Sequence, residues 1–494
     1  MNLFHASLTC TFHSTHRHRK KMSIFRIVPS NIKDICLIIS SFSIFYLLSH
    51  PLTSPIPSTT SLITVVQPPP TTTTVRHLFF SIASSSKSYT NRKPYLRLWY
   101  KPNVTNALVF LDRPVTASAD DSDLPPVIIS DDTSRFPYTF PKGLRSAIRV
   151  ARIVKEAVES VTESVTGSNG VDEIRWYVFG DDDTVFFTEN LARVLNKYDC
   201  DKWWYIGSRS ESYDQNMQHS FNMAFGGGGF AVSRSLARVL ARVLDSCLMR
   251  YPHVYGSDSR VYSCLAELGV ELTTEPGFHQ VDVRGDLFGI LAAHPLSPLL
   301  SLHHFDIIDP IFPGLTKLES VKHLFKAVNH DPPRILQQAV CYDSSKSITV
   351  SVSWGYVVQV FEGNQLLPNL IRVQKTFTSW RRRETFFSKL HMFDMRDYSK
   401  DPCKSPDLFF FEGIAPEEKM YHTFYNRKKS MNCSRSDGIR NLIDIKVFSR
   451  KIDADTQQMS SPRRECCEIL QPYNETMVIA LRRCEMDELI AMDP

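Results

Sequence analysis

Apolar positions along this chain fall into two spacings, and their alternation predicts the architecture. Compact apolar runs at 75–83, 107–111, 127–129, 174–179 and 203–206 read as strands. Between them, Leu144, Ile148, Ala151, Val154, Val158 and Val161 recur at three- and four-residue steps, the pattern of an amphipathic helix. Residues 95–100 read as part of a shorter helix. Thr188 is placed to cap another helix running to about residue 198, and 233–249 reads as a third long one. A further helix follows Tyr255-Gly256-Ser257-Asp258, with Val261, Cys264, Leu265 and Leu268 on one face. Strands alternating with helices imply an α/β fold with a doubly wound sheet. From about residue 348 the pattern changes to short β-like runs at 348–352, 356–361, 371–377, 408–411, 443–448 and 477–481. With cysteines and turn residues interleaved, 340–494 reads as a smaller, β-rich, disulfide-braced module.

The N-terminal pattern concerns location. Residues 35–48 carry no charge and are closed by Pro51. At about 1.5 Å per residue they span only about 21 Å, and extending the run to 32–49 gives about 27 Å, near the thickness of a thin bilayer. Basic residues precede it, among them Arg17, Arg19, Lys20, Lys21 and Arg26, and no acid occurs before Asp34. We read 1–31 as a cytosolic basic tail and 32–50 as a signal anchor, with everything beyond it in the lumen. A cleaved signal peptide is the competing reading, but Ser49-His50-Pro51 offers no small-x-small cleavage site. Residues 51–74, rich in Pro, Ser and Thr, cannot build a core and read as an extended stem.

The net charge of +5 over 494 residues is mild and unevenly placed; a nucleic-acid-binding tail would look similar to this basic N-terminus, but the apolar run that follows it decides for an anchor and no nucleic-acid partner is expected. Three glycosylation sequons, at Asn103, Asn432 and Asn474, fit a lumenal body. Of the 11 cysteines, Cys10 and Cys36 lie before or within the anchor. An odd number remains for the oxidising compartment, so at least one thiol stays outside an intrachain bridge. Adjacent Cys466 and Cys467 lack the spacing of a metal site.

Trp176-Tyr177-Val178-Phe179-Gly180 runs straight into Asp181-Asp182-Asp183. Three carboxylates at the end of a buried strand repel one another, and open α/β sheets bind ligands at that edge. A divalent cation such as Mn²⁺ or Mg²⁺ carrying a diphosphate would compensate them; a solvated acidic turn is the bland alternative. Phe225-Gly226-Gly227-Gly228-Gly229-Phe230 lacks the Gly-Lys-Ser/Thr of a phosphate loop. It suits either close backbone approach to a ligand or a simple bulge. Asp258 sits where a helix cap would sit, so capping and catalysis both remain open. His303 and His304 are, taken alone, unremarkable.

Together, Phe179-Gly180-Asp181-Asp182-Asp183, the 225–230 element, Tyr255-Gly256-Ser257-Asp258 and Leu300-Ser301-Leu302-His303-His304-Phe305-Asp306 resemble, in that order, the Fringe-like β-1,3-type glycosyltransferases. The similarity covers about 77–313 and is greatest to the plant Fringe-related proteins with an added C-terminal domain. It implies a glycosyltransferase A-type (Rossmann-like) central mixed sheet in a catalytic domain at 75–330, and a Golgi type II membrane protein. It further implies an inverting transfer from a UDP-sugar to an acceptor hydroxyl on a glycan, glycoprotein or small molecule. Under it, Asp183, with Asp181 beside it, would ligate the metal, and Asp181 and Asp182 would lie near ribose and diphosphate. His303 or His304 would supply the distal ligand, and Asp258 the general base. Gly227, Gly228 and Gly229 would lie by the donor sugar, and Ser81, Ser84 and Asp112 by uridine and ribose. The sequence departs from animal Fringe at Gly256-Ser257-Asp258, where a pair of acids is replaced.

Two other functions compete. Asp181-Asp182-Asp183-Thr184-Val185 also fits the DxDx[TV] pattern of haloacid-dehalogenase-like phosphatases, with Asp181 as nucleophile and Asp183 as general acid. No convincing downstream Lys and paired-Asp elements accompany it. A non-catalytic lumenal binding protein retaining the fold is the other.

Overall fold

The computed structural model describes residues 72–116, 119–165, 174–383, 385–397, 399, 401–418, 420–428, 433–452 and 462–492. The expected tail, anchor and most of the stem lie outside these residues, as does Asn432. Among the described residues, no helix is long and apolar enough to cross a membrane.

A seven-stranded mixed sheet forms from β1 (Leu78–Ala83), β2 (Asn106–Leu111), β3 (Val127–Ile129), β4 (Trp176–Asp181), β5 (Tyr205–Gly207), β6 (Phe230–Ser233) and β7 (Leu272–Thr274). Its order is β3-β2-β1-β4-β6-β5-β7. Neighbours from β3 to β4 run parallel, β6 is antiparallel to both β4 and β5, and β5 and β7 are parallel. Alternation along the central strands explains why both faces are dry. Leu78, Phe80 and Ile82 of β1 with Trp176 and Val178 of β4 enter one core, while Phe79, Tyr177 and Phe179 enter the other.

Helices α1 (Tyr89–Trp99), α2 (Ser146–Val165), α3 (Arg234–Leu248) and α4 (Ser257–Glu267) flank the sheet, and α5 (Lys317–Val328) follows it. The apolar stripe of α2 buries Ile148, Ala151, Val154 and Val158. At about 1.5–3 kcal/mol for each large aliphatic side chain, this packing outweighs intrinsic helix propensity. Leu144 departs from the expected stripe: it precedes the helix and is 76% exposed. The Thr188 helix is shorter than expected, Thr188–Leu195, with Phe187 at its N-cap. Residues 75–77 form a 3₁₀ turn before β1 rather than part of the strand.

An eight-stranded sheet forms from β8 (Gln338–Asp343), β9 (Ile348–Ser353), β10 (Val357–Glu362), β11 (Asp407–Glu417), β12 (Met420–Arg427), β13 (Asp444–Arg450), β14 (Cys466–Leu470) and β15 (Thr476–Arg482). Its order is β8-β9-β10-β11-β12-β13-β15-β14. The expected 371–377 run instead breaks into two short strands. The second, Phe377–Ser379, pairs with Val283–Gly285. Disulfides join Cys247–Cys264, Cys341–Cys467, Cys403–Cys433 and Cys466–Cys484, and Cys200 is free. This accounts for the odd cysteine. Val350, Val352 and Trp354 continue the core that contains Phe80 and Trp176, and all described residues belong to one unit, Thr71–Pro494. The mixed α/β architecture fits a glycosyltransferase A-like fold.

Candidate active site

The parallel strands β1, β2 and β4 end on one edge, and the residues that follow them carry the polar groups. Just past β1, Ser84 donates its hydroxyl to Asp182 Oδ2 at 2.6 Å, and Ser88 does the same at 2.7 Å. Past β2, Asp112 Oδ1 accepts the Ser86 backbone N–H at 2.6 Å. That bond, above all, holds the Asp112 carboxyl below its ordinary range. Ser81, one turn of the pleat earlier, is buried, and its hydroxyl has no partner among the described residues; it lines a recess with Asp181, Gly226 and Asp258.

Asp181 closes β4, and the chain then turns. Strand Ser301–Leu302 pairs with Val185–Phe186 on one side and Phe278–His279 on the other, which delivers His303 beside that turn. His303 Nε2 lies 3.2 Å from Asp183 Oδ1 and 3.7 Å from Asp181 Oδ2. Ligand atoms of Asp181, Asp183 and His303 all fall within 4.8 Å of one another. His303 Nδ1 is 3.2 Å from the Gln280 carbonyl, a contact that aims Nε2 at the carboxylates. His304 packs its ring against His303 with centroids 3.8 Å apart but contributes none of these ligand atoms, and its Nδ1 faces the Val281 carbonyl at 3.2 Å. Its φ of 61° turns the ring toward Asp282, 3.6 Å away, and stacks it on Trp380 at 4.4 Å.

Charge in this cluster is strongly polarised. Burial disfavours the Asp183 carboxylate, but His303 and Arg92 more than offset this and hold it well below the usual range. Arg92 Nη1 is 2.5 Å from Asp183, and Nη2 is 3.0 Å from Asp306. Burial likewise opposes a charged His303, yet Asp183 pushes it up to about 9. Burial lowers His304 to about 3, with the charge of His303 acting in the same direction. Asp181 is raised, first by desolvation in the recess, which outweighs the opposing charge of His303, and then by the neighbouring carboxylates.

The glycine element forms a turn closed by the Gly229 N–H on the Gly226 carbonyl at 3.0 Å, with Gly229 at φ 83°. The element is a tight turn leading into β6 rather than a bulge within a strand. Thr184 ties it to the acidic turn: its hydroxyl accepts the Asp181 N–H at 2.8 Å and donates to the Gly227 carbonyl at 2.7 Å. Gly228 donates to Gln280 Oε1 at 2.6 Å. A Cβ on Gly227 would lie 2.5 Å from His303 Nδ1 and 2.6 Å from Nε2, so only glycine leaves room for this ring. Gly227→Ala is expected to displace His303 and cost about 1–3 kcal/mol of stability. Urea denaturation and Mn²⁺ titration calorimetry check both effects; unchanged metal binding would show that the ring has room to spare.

Asp258 occupies the first turn of α4 but does not cap it. Oδ2 accepts the Gly226 N–H at 2.9 Å, and Oδ1 accepts the Ser257 hydroxyl at 2.8 Å. The carboxylate thus reaches across to the glycine turn. Asn103 and Asn474 are both exposed. Sequence reasoning missed Arg92, Ser88 and Tyr95, whose hydroxyl donates to Asp306 at 2.7 Å. No local motif marks them: α1 carries Pro94 and little amphipathic pattern. Trp380, far along the chain, was equally silent.

Residues 73–286 match a family model described as Fringe-like. A beta-1,3-glucosyltransferase from Mus musculus is 32% identical over 151 residues, covering 30% of this chain and 28% of that protein. One from Homo sapiens is 30% identical over 144 residues, covering 28% and 26%. The chain spans little more than a quarter of the length of these curated relatives. Asp181, Asp183 and Asp258 lie in the Fringe-like stretch, whereas His303 and Trp380 lie beyond it, in 215–467. That second stretch, just over half of the chain, matches the model described as "Protein of unknown function, DUF604", and the chain belongs to this family.

Proposed function

We propose that this protein is an inverting, metal-dependent glycosyltransferase that moves a sugar from a UDP-sugar to an acceptor hydroxyl in β-1,3-type linkage. The observation that carries the reading is the convergence of Asp181, Asp183 and His303 at the ligand-binding edge of the sheet, with Asp258 lining the same recess as Asp181. Two carboxylates and an imidazole form a donor set suited to Mn²⁺ or Mg²⁺, and Gly227 leaves the space in which His303 joins it. Bound there, the cation would neutralise charge growing on the departing diphosphate.

The chain's own groups supply the rest. Asp112 and Ser81 stand near the ends of β2 and β1, where ribose and uracil would bind, and Ser84 and Ser88 hold Asp182 in place. Arg92 balances Asp183. Asp258, fixed by Gly226 and Ser257, takes the proton from the acceptor hydroxyl as it attacks the anomeric carbon. A single displacement turns an α-linked donor into a β-glycoside, with no carboxylate nucleophile. The phosphatase alternative is not favoured, because its general acid would be Asp183, which Arg92 and His303 hold ionised. The N-terminal pattern supports a Golgi membrane location with the site in the lumen. The ordered motifs, with the C-terminal sheet, support closeness to the plant Fringe-related proteins.

UDP-glucose is the first donor to test, given the names of the mouse and human relatives. Purified full-length protein is expected to release UDP from one member of a UDP-sugar panel only when Mn²⁺ or Mg²⁺ is present. No release from any member, with phosphate liberated from an aryl phosphate instead, would overturn the reading.

A further inference from the structure

Asp258 lines two spaces. One is the recess shared with Asp181 and Ser81. The other is a chamber of about 180 Å³ walled by His219, Phe225, Tyr255 and Trp380. It opens, across Gln215, His219, Tyr255, Ser259 and Trp380, into an outer cleft of about 670 Å³ that also reaches Ser263 and Arg381. We propose that the chamber and the outer cleft together are the acceptor site, and that the acceptor is an oligosaccharide of at least two rings. The inner ring presents its hydroxyl to Asp258, and the next lies in the outer cleft. This rests on the glycosyl-transfer reading above.

The walls are aromatic and held. Tyr255 stacks on His219 with centroids 5.4 Å apart and is itself 49% exposed. Trp380 is braced by His304 at 4.4 Å and by the Arg284 guanidinium at 4.6 Å, and its carbonyl accepts from Arg284 Nε at 2.7 Å. Strand pairing of Phe377–Ser379 with Val283–Gly285 is what carries Trp380 into place. The rim is polar. Gln215, Tyr255 and Trp380 line both the chamber and the outer cleft, and the Gln215 amide, the Tyr255 hydroxyl and the Trp380 indole N–H make no protein hydrogen bond among the described residues.

A sugar ring has apolar C–H faces and a girdle of hydroxyls, so rigid aromatic walls with unpaired donors and acceptors suit it. A Ser or Thr hydroxyl on a polypeptide would leave the aromatic chamber largely unfilled. The two-part shape, with five residues shared at the neck, suits two linked rings better than one.

The test uses the full-length protein with UDP and Mn²⁺, titrated with methyl glycosides of common hexoses and pentoses, matched disaccharides, and Ser/Thr peptides. A disaccharide is expected to bind about tenfold more tightly than its monosaccharide, and Tyr255→Ala to weaken both by about tenfold. Ser263→Trp, which fills only the outer cleft, should remove the disaccharide advantage while leaving monosaccharide affinity and UDP binding unchanged. Equal affinity for one and two rings, preference for peptides, or saccharide binding indifferent to both substitutions would overturn the proposal. Loss of UDP binding in the unmodified protein would count against the donor site instead, and saccharide affinities would still decide the cleft.

Discussion

Asp183→Ala is expected to lower sugar transfer by about a thousandfold or more while leaving the fold intact. Asp183 is the residue on which the cluster's charges converge, paired with Arg92 at 2.5 Å and His303 at 3.2 Å. Its removal deletes one ligand of the proposed cation and leaves Asp181 and His303 as an incomplete pair. It also strips His303 of the charge that raises its pKa, so the imidazole loses its proton more readily. Arg92 keeps Asp306 as a partner, which limits the structural penalty. UDP release, Mn²⁺ calorimetry and circular dichroism on the same preparation separate these effects. Wild-type turnover in a folded variant would remove Asp183 from the mechanism.

Asp258→Asn carries the second large effect, with a different signature. The amide preserves an acceptor for the Gly226 N–H and matches the carboxylate in size, so the glycine turn should remain closed. What disappears is basicity. Transfer is expected to fall by about 10²–10⁴-fold, the range for a lost general base, with affinity for UDP and Mn²⁺ unchanged. A fall in donor affinity equal to the fall in rate would mean that Asp258 binds the donor rather than accepting a proton.

Much of the scaffold was legible because it depends on local pattern. The β4 run declared itself through continuous apolar residues, and α2 through its three- and four-residue steps. Helix α5 carried a readable signal that went unread: Thr316 and Glu319 form a reciprocal capping box at its start. Thr188 had the right residue type, but the tertiary structure set the boundary one residue earlier, at Phe187. The acids, the glycine turn and Asp258 were legible as types in order. The choice between His303 and His304 was not, because the two rings pack side by side at 3.8 Å and only backbone geometry, with a positive φ at His304, aims the nitrogen of His303 alone at the carboxylates. Arg92 was invisible for a related reason. Its role comes from the packing of α1 over the edge of the sheet, and no short window of sequence encodes that meeting.

The two carboxylates and the imidazole of the triad come from opposite sides of residue 286, where the Fringe-like stretch ends. A chimera joined at that point would import a foreign His303 position, together with the Trp380 that braces its neighbour. Under the proposed reading, the candidate cation ligand His303 and the acceptor wall Trp380 would then travel together, so one could not be exchanged at that join without the other.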